Sequence, residues 1–150
     1  MTKAGQDYNQ QNHEQRERLA SLGARLSAAQ WSARLPNGWT VAALFGHLGF
    51  WDRMSLALVE RYEREGVAPE KSNFHLLNGV LAGLFERMSP EQCLAWAVDA
   101  AEALDARIAA LPPALVAEII EKDSERRIHR HVHRRNHLDR VEDWLRSSSR

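Results

Sequence analysis

The chain has 150 residues, with 20 Lys+Arg balanced by 20 Asp+Glu, 44% hydrophobic residues and a single cysteine. A chain of this length is expected to form one domain over residues 1–150 and to bury roughly 68–70% of the surface its unfolded form exposes, so its core needs neither disulfides nor a structural metal. Cys93 alone excludes an intramolecular disulfide, no stretch approaches the ~20 apolar residues of a membrane span, and Met1–Gln15 is polar, which leads us to expect a soluble, cytoplasmic protein.

Leu19, Leu22, Leu26 and Ala29 recur at helical spacing after a polar run free of Pro and Gly, which predicts a first helix near Asp7–Gln30. Leu35-Pro36-Asn37-Gly38 stops it with turn chemistry. Thr40 is placed to cap a second helix striped by Val41, Leu44, Leu48, Trp51, Met54/Ser55 and Leu58, which ends in charges before Gly66 and Pro69. From Ser72, the series Phe74, Leu77, Leu81, Leu84 and Met88 predicts a third helix. Ser89-Pro90-Glu91-Gln92 opens a fourth, combining a capping box with Pro at the first helical position. Its stripe runs through Leu94, Val98, Ala101, Leu104 and Ile108 until Pro112-Pro113. A short piece over Ala114–Ile120 follows, and a last helix runs from about Asp123 or Ser124 to Arg146, its best apolar positions being Leu138, Val141, Trp144 and Leu145. The ends, about 1–6 and 147–150, are expected to fray. No segment alternates with period two, so the class is all-α, and helices joined by short connections imply a bundle whose sites are built by inward-facing polar residues.

The neutral total conceals an asymmetry. Ser124–Arg150 carries 8 basic and 4 acidic residues and four of the seven histidines. His129, His133 and His137 are spaced four apart, so on a helix they share one face, and two imidazoles at that spacing can chelate one ion. That face continues into Val141 and Trp144, which directs the stripe inward. His47 sits between Leu44 and Trp51 on the second helix, where a buried imidazole needs a partner. Three neutral imidazoles leave one position of a tetrahedral zinc open for water or substrate, and nickel suits the same donors. Against this stand two plainer readings, with His133 and His137 on a solvated Arg-rich face and His47 bonded to a backbone carbonyl in the core.

The run Leu35-Pro36-Asn37-Gly38-Trp39-Thr40-Val41, with His47-Leu48 and Trp51 following, resembles the corresponding segment of the DinB/YfiT-like superfamily, which includes the N-terminal domain of mycothiol-dependent maleylpyruvate isomerase. His133-Arg134-Arg135-Asn136-His137 is similar to the superfamily's H-x3-H pair in the last long helix, and Asn78 lies before Ser89-Pro90-Glu91 as in many relatives. The resemblance spans nearly the whole chain. It implies an up-down-down-up four-helix bundle, often dimeric, with a short extra helix accommodated here, and a divalent ion held by His47, His133 and His137. It also implies thiol S-transferase or other small-molecule chemistry with a low-molecular-weight thiol as cosubstrate. His129 offers a second H-x3-H pair with His133. The continuation into Leu138 and Trp144-Leu145 favours His133/His137, which leaves His129 as an outer-sphere partner, a proton shuttle or a surface residue.

An open coordination position lowers the pKa of bound water to about 7, which leads to a hydrolase, or takes a thiol as thiolate, which leads to a thiol S-transferase, and the sequence does not choose between them. The sequence nominates no general base, and the catalytic residues stay unassigned. Phe50, Trp51, Met54, Arg130 and Arg134 lie one or two turns from the ligands and are candidates for the pocket wall. The arginines would bind a carboxylate there, or simply form a solvated face. Cys93 reads as a small buried hydrophobe. Nucleic acid is not expected as a partner, because the net charge is zero and no aromatic platform accompanies Arg126, Arg127, Arg130, Arg134 and Arg135. A small-molecule substrate is expected, with a homodimer face at Trp31, Trp39 and Phe74. The competing functional class is a non-catalytic protein of stress or resistance that binds a metal or small molecule.

Overall fold

Ser27 interrupts what the sequence reads as a single first helix. In a computed structural model, which describes residues 3–149 and side chains from Asp7 onward, α1 spans Lys3–Arg25 and a separate short helix, α2, spans Ala28–Ser32. The Ser27 hydroxyl accepts from the Gln30 amide while the Gln30 side chain accepts from the Ser27 amide. This reciprocal capping box satisfies amides that would otherwise be orphaned where the chain turns.

α3 (Val41–Glu65) begins where expected, with the Thr40 hydroxyl accepting from the Ala43 amide, and ends at Gly66. α4 covers Phe74–Phe85, and α5 covers Pro90–Ala110 behind the predicted Ser89–Gln92 capping box. α6 (Pro113–Lys122) extends the expected short piece. The last helix differs at its start: a 3-10 turn over Glu125–Arg127 precedes α7, which runs Arg130–Ser148. Ser124 caps the 3-10 turn through the Arg126 amide, and Ile128 is wholly buried beyond it, so the chain must bend there before the long helix can begin. Of the ends expected to fray, residues 1, 2 and 150 lie outside the described residues, as do the side chains of 3–6.

The protein is all-helical, with seven α-helices and no strand among the described residues. α3 packs along α5, α1 lies against both α5 and α7, and α4 leans on α3. Two apolar clusters fill the interior. One gathers Leu19, Leu22, Leu44, Phe45, Leu48, Ala97, Leu138 and Val141, and the other Leu58, Tyr62, Leu104, Ile108, Ile119 and Ile128. Along α3 and α7 the buried charged residues Asp52, Arg130 and Arg134 stand between these two sets.

Two glycines let neighbours press onto α3. A Cβ on Gly46 would overlap the Phe85 ring, and one on Gly49 would overlap the Trp96 indole, whose Nε1 donates to the Gly46 carbonyl at 3.2 Å. Cys93 is fully buried, its thiol donating to the Phe85 carbonyl and pushed up to about 11 by burial. The three aromatics expected on the surface differ in exposure. Trp31 is buried in an edge-to-face contact with Phe45, Trp39 is half-buried, and Phe74 is 50% exposed. Among the described residues no helix is long and apolar enough to cross a membrane.

Candidate metal centre

His47 lies two turns inside α3, and His133 and His137 lie one above the other on α7, as their four-residue spacing requires. The packing of α7 on α3 brings the three rings together. Their centroids are separated by 5.1 Å (His47–His133), 4.7 Å (His47–His137) and 4.7 Å (His133–His137). One nitrogen from each lies within 4.8 Å of the others. His47 Nε2 and His133 Nε2 are 3.1 Å apart. Two donors ~2.0–2.1 Å from a tetrahedral ion span an edge of roughly 3.3 Å, close to the separation of this pair.

The electrostatics agree with that fit. Burial, with His137 and Arg130 nearby, pushes His47 down to about 3, and burial beside Arg140 pushes His137 down to about 4. Burial and Arg130 hold His133 well below the usual histidine range. All three rings are therefore neutral at neutral pH, with a lone pair to offer. The buried Nδ1 atoms of His47 and His137 have no hydrogen-bond partner among the described residues, so no fixed donor or acceptor at that atom sets the tautomer of either ring. The donor set is three imidazoles with no carboxylate, which matches late divalent ions such as zinc or nickel.

His129 is not in the cluster. It precedes α7, half-buried, its ring 5.5 Å from those of Tyr8 and His131. Of the residues expected to wall a pocket, Trp51 is buried with its ring 6.5 Å from His47, and its Nε1 donates to Asn78 Oδ1 at 2.8 Å. Phe50 packs edge-on against Trp51, at 5.0 Å, whereas Met54 packs against the other apolar cluster. Trp39, delivered by the turn before α3, has its ring 5.1 Å from His47 and is a wall residue that helical spacing could not identify.

Arg130 and Arg134 form neither a solvated face nor a free carboxylate receptor. Arg134 is wholly buried and donates to both oxygens of Asp105, to Asp52 and to the Asn12 carbonyl. Arg130 donates through Nε to Asp52 Oδ1 at 2.8 Å and through Nη1 to the Arg126 carbonyl, and its Nη2 lies 3.2 Å from His133 Nδ1. Arg16 adds a further ion pair to Asp105 at 2.9 Å. The signal for this network was Asp52, a carboxylate in the apolar stripe of α3 that had to find a partner.

The histidine cluster and its helical frame have a counterpart among known families. The sequence profile described as the mycothiol maleylpyruvate isomerase N-terminal domain matches residues 13–146, which includes all three converging histidines. No curated protein and no solved structure matches the chain significantly. With the match extending over all but the two ends, the chain belongs to the mycothiol maleylpyruvate isomerase N-terminal domain family, a DinB/YfiT-like family.

Proposed function

We propose that the protein is a metal-dependent enzyme of small-molecule chemistry, in which His47, His133 and His137 hold a zinc or nickel ion and a low-molecular-weight thiol or water serves as nucleophile. The observation that carries this reading is the convergence of three neutral imidazoles from α3 and α7 on a common point. A divalent ion bound there supplies Lewis acidity, bringing the pKa of a thiol or water close to neutrality. Thiol transfer is preferred over hydrolysis because the matching family takes its name from a mycothiol-linked isomerase. The same reading arranges α1, α3, α5 and α7 as an up-down-down-up four-helix bundle.

The chain's own residues would shape the reaction space. Trp39 and Trp51 flank His47 and exclude water from that side, and Asn78 holds the Trp51 indole in place by accepting its N–H. The ligands remain neutral without a carboxylate, so a bound divalent ion would keep its full positive charge toward an incoming anion. Metal content of protein purified without chelator or polyhistidine tag tests the first half of the proposal. Thiol-transfer and hydrolysis assays comparing wild type with His47→Ala test the second. Absence of stoichiometric metal would overturn the site, and metal without turnover on any thiol or hydrolysable substrate would make the protein a metal-binding one only.

A further inference from the structure

Among the three candidate ligands, His133 alone has its Nδ1 at hydrogen-bond distance from a guanidinium. Nδ1 lies 3.2 Å from Arg130 Nη2, whereas the Nδ1 atoms of His47 and His137 are without partners among the described residues. A guanidinium has N–H donors and no acceptor, so at this contact Nδ1 must accept. Arg130 is not free to turn away. It is 4% exposed, its Nε is held by Asp52 and its Nη1 by the Arg126 carbonyl, and Asp52 is itself held by Arg134.

The nitrogen of His133 that faces His47 is Nε2. A neutral histidine that gives Nε2 to a metal carries its proton on Nδ1, and metal-bound histidines ordinarily donate that N–H to a carboxylate, carbonyl or water, which raises their basicity. Here the N–H would meet another N–H, on a cation. Building on the metal reading above, we infer that Arg130 is a positioning residue that opposes capture of the ion through His133 Nε2. His133 is thereby the weakest of the three ligands, and the bound ion exchanges readily. The usual outer partner of a ligating histidine strengthens its grip, and this one has the opposite polarity.

The test is zinc affinity at pH 7.5, measured by competition with a chromophoric chelator on wild type, Arg130→Met and Arg130→Gln. Removing the opposing donor tightens binding, and supplying an acceptor tightens it further, so Arg130→Gln is expected to bind about 10–100-fold more tightly than wild type with Arg130→Met between them. A residue that served the fold alone would give the reverse, with both variants weakened in step with their thermal stability. A second comparison leaves Arg130 in place: His133→Ala is expected to weaken zinc about tenfold less than His137→Ala does. Equal losses from these two substitutions, or weaker binding in Arg130→Gln, would overturn the inference while leaving the metal site intact. Zinc bound by none of the proteins would overturn both.

Discussion

Arg134 clasps Asp105 with two parallel hydrogen bonds, 2.9 and 3.0 Å long, at a point where the guanidinium has no exposed surface. Asp52 receives the same guanidinium at 3.0 Å and shares its other oxygen with Arg130, so Arg16, Asp105, Arg134, Asp52 and Arg130 alternate in sign through the interior. Buried ions are tolerated only when each has its partners, because the desolvation cost of an unpaired one is several kcal/mol.

Arg134→Met therefore leaves Asp52 and Asp105 short of their central partner. The expected loss is about 3–5 kcal/mol of unfolding free energy in urea titrations. A loss below about 1 kcal/mol would show that water or Arg16 and Arg130 replace it without difficulty.

Acid should destabilise the chelator-treated protein earlier than its carboxylates would require. His47, His133 and His137 titrate lower in the folded chain than the ordinary value of about 6.5. Below that value the unfolded chain takes up protons that the folded one refuses, so stability is complete above about pH 7 and declines from about pH 6.5 toward 4. His47 alone contributes a slope of about 1.4 kcal/mol per pH unit between about pH 6 and 4. Denaturant midpoints at pH 7.5, 6 and 5 measure it, and a flat profile that His47→Ala leaves unchanged would contradict the assignment.

The same low values protect the ligands from proton competition. Zinc affinity is expected to change less than about tenfold between pH 7.5 and 5.5. Three imidazoles of ordinary basicity would lose roughly a thousandfold over that interval. Competition titrations at the two pH values decide between these behaviours.

Gly46→Ala places a methyl group against the buried Phe85 ring. Overpacking of this kind costs about 1–3 kcal/mol, and calorimetry should register a lower Tm. Full retention of Tm would mean that α4 yields without penalty.

Helix positions were legible wherever a local signal sufficed. Thr40, Ser89-Pro90 and the Pro112-Pro113 stop act within one turn, and the observed boundaries follow them. The stripe His133/His137 reads inward because Leu138 and Val141, which follow it, are apolar and buried. The break at Ser27 was also written locally, as Ser-x-x-Gln, but an apolar stripe at helical spacing ran across it and concealed the cap. The late start of α7 goes with Ile128, which is completely buried in the apolar cluster formed by residues of α3, α5 and α6, partners distant in sequence for the most part. The ion-pair network was the least legible part. Asp52 meets its arginines across 78 and 82 residues, and charges on a helix read as solvated until the opposing charge is located in space.

His47 and Asp52 share α3, and Arg130, Arg134 and the other two histidines share α7. One residue added to either helix between those positions would swing everything beyond it by about 100° around the axis. Insertion there would throw the imidazoles and the charge chain out of phase with each other at once. Changes of length compatible with the site accordingly fall outside those two spans, as in the connection between Glu65 and Phe74, and within them the histidine cluster and its ionic support can be altered only by exchange of side chains.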